Sequence, residues 1–454
     1  MQFTDLNEQG GIGSSATLLE IGPYTLLIDS GIHPKLEGKA SLPRLDKIRD
    51  RQVDCILLTH CHLDHVGSIP VAARYFPDAH ILMTRASALL APRMLRNSVN
   101  VMNRKREESG NNDYPFYTFK EIEALDDRIL GLAFERAFCI DTHGPELSIT
   151  LYPAGHVAGA AGIRIECSGE SIFVTGDCLF RDNLTLPGAQ FPIEAVDTLI
   201  TETTRGATEP KASADRNEEW DALFEDMRMT FRRGGNVLIP VFALGRMQEM
   251  LTRVAARRHE PWLKDIPIYC SGLGMDLVDY FDQIAKRVGG LEFSRKTVKQ
   301  LKVRPPDWNW CRGKQPSSPT LMLLSSGMLV EHTPSYRMAS GLLHDPKNMI
   351  QFIGYCDPDT PGGAMLQMET GEEYLFELLD YKAQLYAEIR RYDLSGHAER
   401  NELVEFASAV TPKRIILTHG DPEAREWFRN TLKHTIPDTE VLDPQTLDTL
   451  ELSS

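Results

Sequence analysis

Seven residues, Thr59-His60-Cys61-His62-Leu63-Asp64-His65, constrain this chain more than any other stretch. They follow an apolar run, Val53 to Leu58, whose composition predicts a short buried strand. Three imidazoles and a carboxylate packed between His60 and His65 are costly to hold together without a cation among them. On extended chain His60 and His62 project to one side while Cys61 points to the other. Asp64 and His65 fall on the turn that follows, ahead of Gly67 and Pro70. With His at about 0.03 and Asp at about 0.06 per position, chance produces such a pattern roughly once in a thousand chains of this length. Nitrogen and oxygen donors at this spacing suit zinc or a similar borderline divalent ion.

A length of 454 residues allows two or three domains, each with its own core. No run of about 18 apolar residues occurs, so no membrane span is expected. The start, Met-Gln-Phe-Thr-Asp-Leu-Asn-Glu, has neither the basic opening nor the apolar core of a signal peptide. Eight cysteines without Cys-x-x-Cys spacing, mostly in apolar runs, read as reduced buried thiols, and a cytoplasmic setting is expected. The net charge of −15 argues against a generic grip on nucleic acid. A local one remains open, because nine basic residues between Lys286 and Lys314 face only Glu292 and Asp307. Trp308 and Trp310 lie in that stretch and read either as base-stacking rings or as loop packing.

The first half alternates strands and helices, beginning with a hairpin around Gly22-Pro23 that ends at Asp29-Ser30-Gly31. After the His cluster come a helix near Val71 to Tyr75, a strand at His80 to Met83 and a long helix from Ser87 to about Arg106. Strands are expected at Leu147 to Pro153, Gly162 to Cys167, Ser171 to Thr175 and Thr198 to Thr201, the last ending at Glu202. A polar, turn-rich tract then runs from about Gly206 to Arg216. Beyond it, helices such as Glu218 to Arg233 and Met275 to Arg287 alternate with strands, which indicates a mostly parallel sheet. Asp357 to Gly363 reads as a loop.

The cluster holds too many donors for one tetrahedral ion and too few for two. Three other places share one grammar, a strand end with a ligand-type residue beside glycine: Gly155-His156, Gly176-Asp177 and His419-Gly420. Asp29-Ser30-Gly31 and Ser395-Gly396-His397 repeat it. Glycine at such points lets the backbone turn tightly and come close to an ion.

With these residues assembled, the chain resembles the metallo-β-lactamase superfamily and, within it, the β-CASP nucleases that include the catalytic subunits of messenger-RNA 3′-end cleavage factors and their prokaryotic relatives. The superfamily pattern is matched by Asp29, His60, His62, Asp64, His65, His156 and Asp177. The β-CASP pattern is matched by Glu202 in Thr-Glu-Thr-Thr-Arg-Gly, His397 in Ser-Gly-His-Ala-Glu-Arg and His419 in Thr-His-Gly-Asp. Ile32 to Gly38, Pro240 to Arg246, Ser325 to Met328 and Ile353 to Tyr355 are similar to the same branch. The chain departs from the pattern at Arg205, where tyrosine is common, and at Glu399, where aspartate is frequent. Neither is a ligand position, so the departures bear on substrate contacts.

The resemblance implies an α/β fold, an αββα metallo-β-lactamase sandwich over residues 1–205 and 394–454, with a β-CASP α/β cap inserted at 206–393. It implies two zinc ions, one on His60, His62 and His156, the other on Asp64, His65 and His419, with Asp177 between them. Asp29 would orient a ligand or the activated water. A two-metal hydroxide would attack the phosphodiester, and His397, supported by Glu202, would be the general acid, so that Asp64, His397, Glu202 and Asp29 form the catalytic set. RNA would lie between cap and sandwich.

His419, where the DNA-repair branch tends to carry an apolar residue, tilts the expected substrate to single-stranded RNA. The expected function is a zinc-dependent ribonuclease, endonuclease or 5′-3′ exonuclease, working alone, as a homodimer or in an RNA-processing complex. The alternatives are a single-stranded DNA nuclease, a small-ester or lactam hydrolase on the same core, and a silent scaffold subunit.

Overall fold

Strand periodicity and buried apolar runs arrange the chain into two seven-stranded sheets, a five-stranded sheet and a small hairpin in the computed structural model, which describes residues 1–8, 10–210 and 215–452. Contacts divide the chain into two units. The first comprises Met1–Asp182, Pro187–Pro210 and His397–Ser454, and the second Asn183–Leu186 and Lys211–Gly396. The polar tract expected from Gly206 to Arg216 includes residues 211–214, which lie outside the described residues.

In the first unit the two larger sheets share one core. Leu26, Ile28, Leu57 and Leu82 of one sheet pack with Ile149, Leu151, Ile163, Ile172 and Ile200 of the other. The strand Leu147–Pro153 shows why, since Leu147, Ile149 and Leu151 are buried while the residues between them are only partly so. Cys55–Leu57 is buried at all three positions, as its unbroken apolar run requires. Helices complete an αββα sandwich, including the 25-residue Arg85–Ser109, which is capped by the Thr84 hydroxyl and closed by left-handed Gly110.

The second unit is the inserted α/β domain. Its five strands lie in the order Ile268–Ser271, Leu321–Leu324, Val237–Pro240, Met349–Ile353, Glu388–Tyr392, and every pairing is parallel. The fold class implied by the residue pattern is the one observed.

Local details differ. Asp64 and His65, expected on a turn, lie on a single helical turn, Leu63–Val66. The helix expected from Met275 to Arg287 is two, Leu273–Asp276 and Val278–Arg287. The loop expected at Asp357 to Gly363 gives way to a helix at Pro361, where proline suits a first turn. A further helix, Phe119–Asp126, is marked by a capping box in which Thr118 and Glu121 satisfy each other's backbone amides. Thr118→Ala should therefore cost about 1 kcal/mol of stability, measured by chemical denaturation, and an unchanged midpoint would show the cap to be redundant. All eight cysteines are unpaired and seven are buried, but Cys139 is exposed because its strand, Phe138–Ile140, is the last of its sheet. Among the described residues no helix is long and apolar enough to cross a membrane.

Candidate metal centre

The donors converge because the strands that carry them end together. Asp29 follows Tyr24–Ile28, and His60 and His62 follow Cys55–Leu57, its parallel neighbour. His156 follows Leu147–Pro153, Asp177 follows Glu170–Val174, and His419 follows Arg414–Thr418. Glu202 is the last residue of Thr198–Glu202 and pairs in register with Thr418. The Ala161 amide donates to the Thr59 carbonyl and ties the two sheets at this edge. Two glycines matter here. Gly155 has φ +72°, and a methyl on Gly31 would lie 1.7 Å from the Asp64 carbonyl oxygen. Asp29 and His419 adopt left-handed backbone themselves, at φ +61° and +49°, a strain that recurs at functional sites.

Three groups of possible donors result, with ligand atoms within 4.8 Å of one another in each: His60, His62, His156 and Asp177 in the first, Asp64, His65 and His419 in the second, and Asp177, Glu202 and His397 in the third. In the first, His62 Nδ1 lies 3.1 Å from both His60 Nε2 and His156 Nε2. In the second, His419 Nε2 is 3.2 Å from His65 Nε2 and 3.4 Å from Asp64 Oδ2. Asp177 Oδ2 faces the first two groups, at 3.6 Å from His60 Nε2, 3.8 Å from His156 Nε2 and 3.5 Å from His65 Nε2.

These residues fit cations. Ring nitrogens approaching this closely cannot all share protons, because one proton on His62 Nδ1 serves one contact and not both. Among the described residues Asp177 Oδ1 is buried without a hydrogen bond, its ion-pair neighbour being His419 Nδ1 at 3.3 Å. Burial, then the neighbouring His65, pushes His60 well below the usual imidazole range, so that it is neutral and able to coordinate. His65 goes the other way. Burial lowers it, but Asp177, Asp64 and Asp29 outweigh burial and hold it well above that range. Burial would raise the Asp177 carboxyl, yet His419, His65 and His60 hold it well below the carboxylate range. The pocket thus concentrates negative charge that a cation would neutralise in place of imidazolium protons.

Hydrogen bonds orient the donors. Asp29 Oδ2 lies 2.8 Å from His65 Nδ1, leaving Nε2 toward the cluster, and it also accepts from the Thr59 hydroxyl at 2.8 Å. Thr204 Oγ1 is 3.1 Å from His419 Nδ1. Thr59 and Thr204 stand inside the matched motifs, but nothing in the spacing signals which way a hydroxyl turns. Beside the donors, His397 Nδ1 lies 3.0 Å from Glu202 Oε2, whose partner Oε1 accepts from the Cys178 amide at 2.7 Å. Burial pulls the His397 imidazole down, but the charge and hydrogen bond of Glu202, then Asp177, more than offset it and leave it raised. His397 Nδ1 is 4.0 Å from Asp177 Oδ2, and its side chain retains 16% exposure. All ten residues singled out for the site are therefore gathered in the first unit. The two tryptophans separate. Trp310 packs edge-on against Tyr269 at 5.0 Å, whereas Trp308 is 48% exposed.

Comparison with known proteins places the whole chain in a family context. Residues 10–219 match the metallo-beta-lactamase superfamily, 232–365 the Beta-Casp domain and 382–442 the Zn-dependent metallo-hydrolase RNA specificity domain. Endoribonuclease YSH1 of Eremothecium gossypii is 28% identical over 99% of this chain and 60% of its own length. Cleavage and polyadenylation specificity factor 73 of Drosophila melanogaster is 28% identical over 93% of this chain and 60% of its own. Transcription termination factor FttA of Pyrococcus horikoshii is 28% identical over 93% and 67%. The chain thus spans about 60% of the length of the first two of these relatives. A crystal structure of an Enterococcus faecalis protein of unknown function shares the fold, with a TM-score of 0.55 over 99% of both chains at 12% identity.

Proposed function

The chain belongs to the metallo-β-lactamase superfamily, in the branch with an inserted Beta-Casp domain, and from that membership we propose that it is a zinc-dependent endoribonuclease acting on single-stranded RNA. The observation that carries the reading is the pair of donor sets meeting at Asp177 Oδ2, with the Glu202–His397 pair alongside. His60, His62 and His156 would hold one ion, Asp64, His65 and His419 the other, and Asp177 would serve both. Imidazole and carboxylate donors favour zinc, and the zinc-dependent RNA-specificity match over 382–442 supports both metal and substrate. The names of the relatives, endoribonuclease and cleavage factor, support internal cutting and a place in a larger RNA-processing assembly. The unpaired cysteines support a reducing, cytoplasm-like setting.

When bound, such an ion pair supplies an activated water and neutralises charge at the scissile phosphate. The rest belongs to the chain. Glu202 holds Nδ1 of His397 at 3.0 Å and so orients the ring, which would give a proton to the departing 3′ oxygen. Asp29 fixes the His65 tautomer so that Nε2, not Nδ1, faces the cluster. Turnover of a labelled single-stranded RNA should disappear on chelation and return on zinc reloading, and activity unaffected by exhaustive chelation would sink the metal reading.

The basic stretch lies in the second unit. Lys286 and Arg295 pair with Asp282 and Asp279, while Lys296, Lys299 and Lys302 are exposed on or next to the helix Arg295–Leu301. Reversing these three to Glu should weaken RNA binding and lower the salt slope by about 2, at roughly 0.7 per phosphate contact on a single strand. Zinc content should be unchanged. Binding titrations at several salt concentrations check this, and an unaltered affinity and slope would make the run a solvated face.

A further inference from the structure

Two stretches of the first unit meet next to the site, Asp177 to Arg181 and His397 to Glu402. The Cys178 carbonyl accepts from the Ala398 amide at 2.6 Å, and the Cys178 amide holds Glu202, the partner of His397. Three residues on, Arg181 closes the pairing. Its Nη2 lies 2.9 Å from Glu399 Oε2 and its Nε donates to Glu402 Oε1 at 2.8 Å. The second Glu402 oxygen accepts from the Glu399 amide at 2.8 Å and caps the helix Arg400–Val410. Phe180 adds an apolar contact to the same helix, its ring 5.7 Å from that of Phe406.

We propose that Arg181 is a positioning residue that sets His397 against Glu202 by gripping Glu399 and Glu402, an inference that rests on the reading of His397 above. The physical case is geometric. A planar guanidinium fixes direction at two acceptors at once, which a lysine ammonium cannot. Glu399 and Glu402 are like charges three residues apart at a helix start, and without a shared cation they repel. His397 is two residues from Glu399, so loosening that end frees the imidazole while the donor residues keep their own strand ends. The three side chains are only 31%, 13% and 19% exposed, so water screens the grip little. Its value lies in alignment.

The test compares Arg181→Ala, His397→Ala and the double variant in single-turnover cleavage of an RNA oligonucleotide whose one cleavable linkage carries either a 3′ oxygen or a 3′ sulfur leaving atom. Arg181→Ala should slow the oxygen linkage roughly 10–30-fold and the sulfur linkage less than about 3-fold, and should add under about 2-fold when His397 is already alanine. Arg181→Lys should recover only part of the loss. Zinc content should stay at the wild-type level.

Hydrogen–deuterium exchange of the zinc-loaded protein gives a readout that needs no activity. Peptides covering 397–403 should exchange faster in Arg181→Ala, while those covering 60–65 do not change. Losses that multiply in the double variant, a fall in zinc, or unaltered exchange at 397–403 would overturn the proposal. If the two losses fail to multiply but His397→Ala treats both linkages alike, Arg181 still acts through His397 and the proton-donor reading is what falls.

Discussion

Asp177→Ala is expected to strip the protein of both cations and to lower RNA turnover by roughly 10³-fold or more. The expectation follows from one atom. Asp177 Oδ2 is 3.5–3.8 Å from nitrogens of His60, His65 and His156, so it faces both proposed ligand sets. Removing it leaves three imidazoles in one set and a carboxylate with two imidazoles in the other, each a weaker site. Asp177→Asn, nearly equal in shape but uncharged, should lose the ions as well, which separates charge from packing. Elemental analysis after gel filtration reads the outcome. Retention of one tight ion would place the bridge elsewhere.

His397→Ala should behave oppositely on metal and just as severely on chemistry. Zinc content and RNA affinity should stay near the wild-type level, because His397 stands in neither of the two proposed ligand sets. The chemical step should fall roughly 10²–10⁴-fold, the usual worth of a positioned general acid. The defect should shrink on a linkage with a 3′ sulfur, a leaving atom that needs no proton. Glu202→Gln keeps an acceptor near Nδ1 but removes the charge, and should give a smaller loss of the same kind. An alanine variant equally crippled on both linkages would assign His397 another task.

How far the residues announced this arrangement depends on how local each signal was. His60 to His65 were legible as a group because four donors lie within one strand end and one helical turn. Gly155-His156, Gly176-Asp177 and His419-Gly420 were legible as strand ends, although the strand before His156 has antiparallel neighbours on both sides and only the strands before Asp177 and His419 belong to parallel pairings. The Glu202–His397 contact was not legible from spacing. It spans 195 residues and exists because Thr198–Glu202 pairs with Arg414–Thr418 while the second unit is inserted between them. It came from the family pattern alone. Thr59 and Thr204 lie within the matched motifs, but their contacts and those of Arg181 were not legible, because a hydroxyl or guanidinium finds its partner only after the loops are packed. The helix at Phe119–Asp126 had a local signal in its capping box that hydrophobic periodicity passes over. Trp308 and Trp310, alike in sequence context, parted only when Tyr269 came to lie against one of them.

On the proposed reading this chain, loaded with two metal ions, cuts single-stranded RNA from within. The most direct measurement is incubation of the purified, zinc-quantified protein with a circular single-stranded RNA, which offers no end to an exonuclease, followed by mapping of the product ends. Linear products bearing 5′-phosphate and 3′-hydroxyl ends are expected, formed by the wild type and lost both on chelation and in Asp177→Ala. A protein that holds both ions yet leaves the circle intact would contradict internal cutting, and digestion of linear RNA by the same protein would make it an exonuclease.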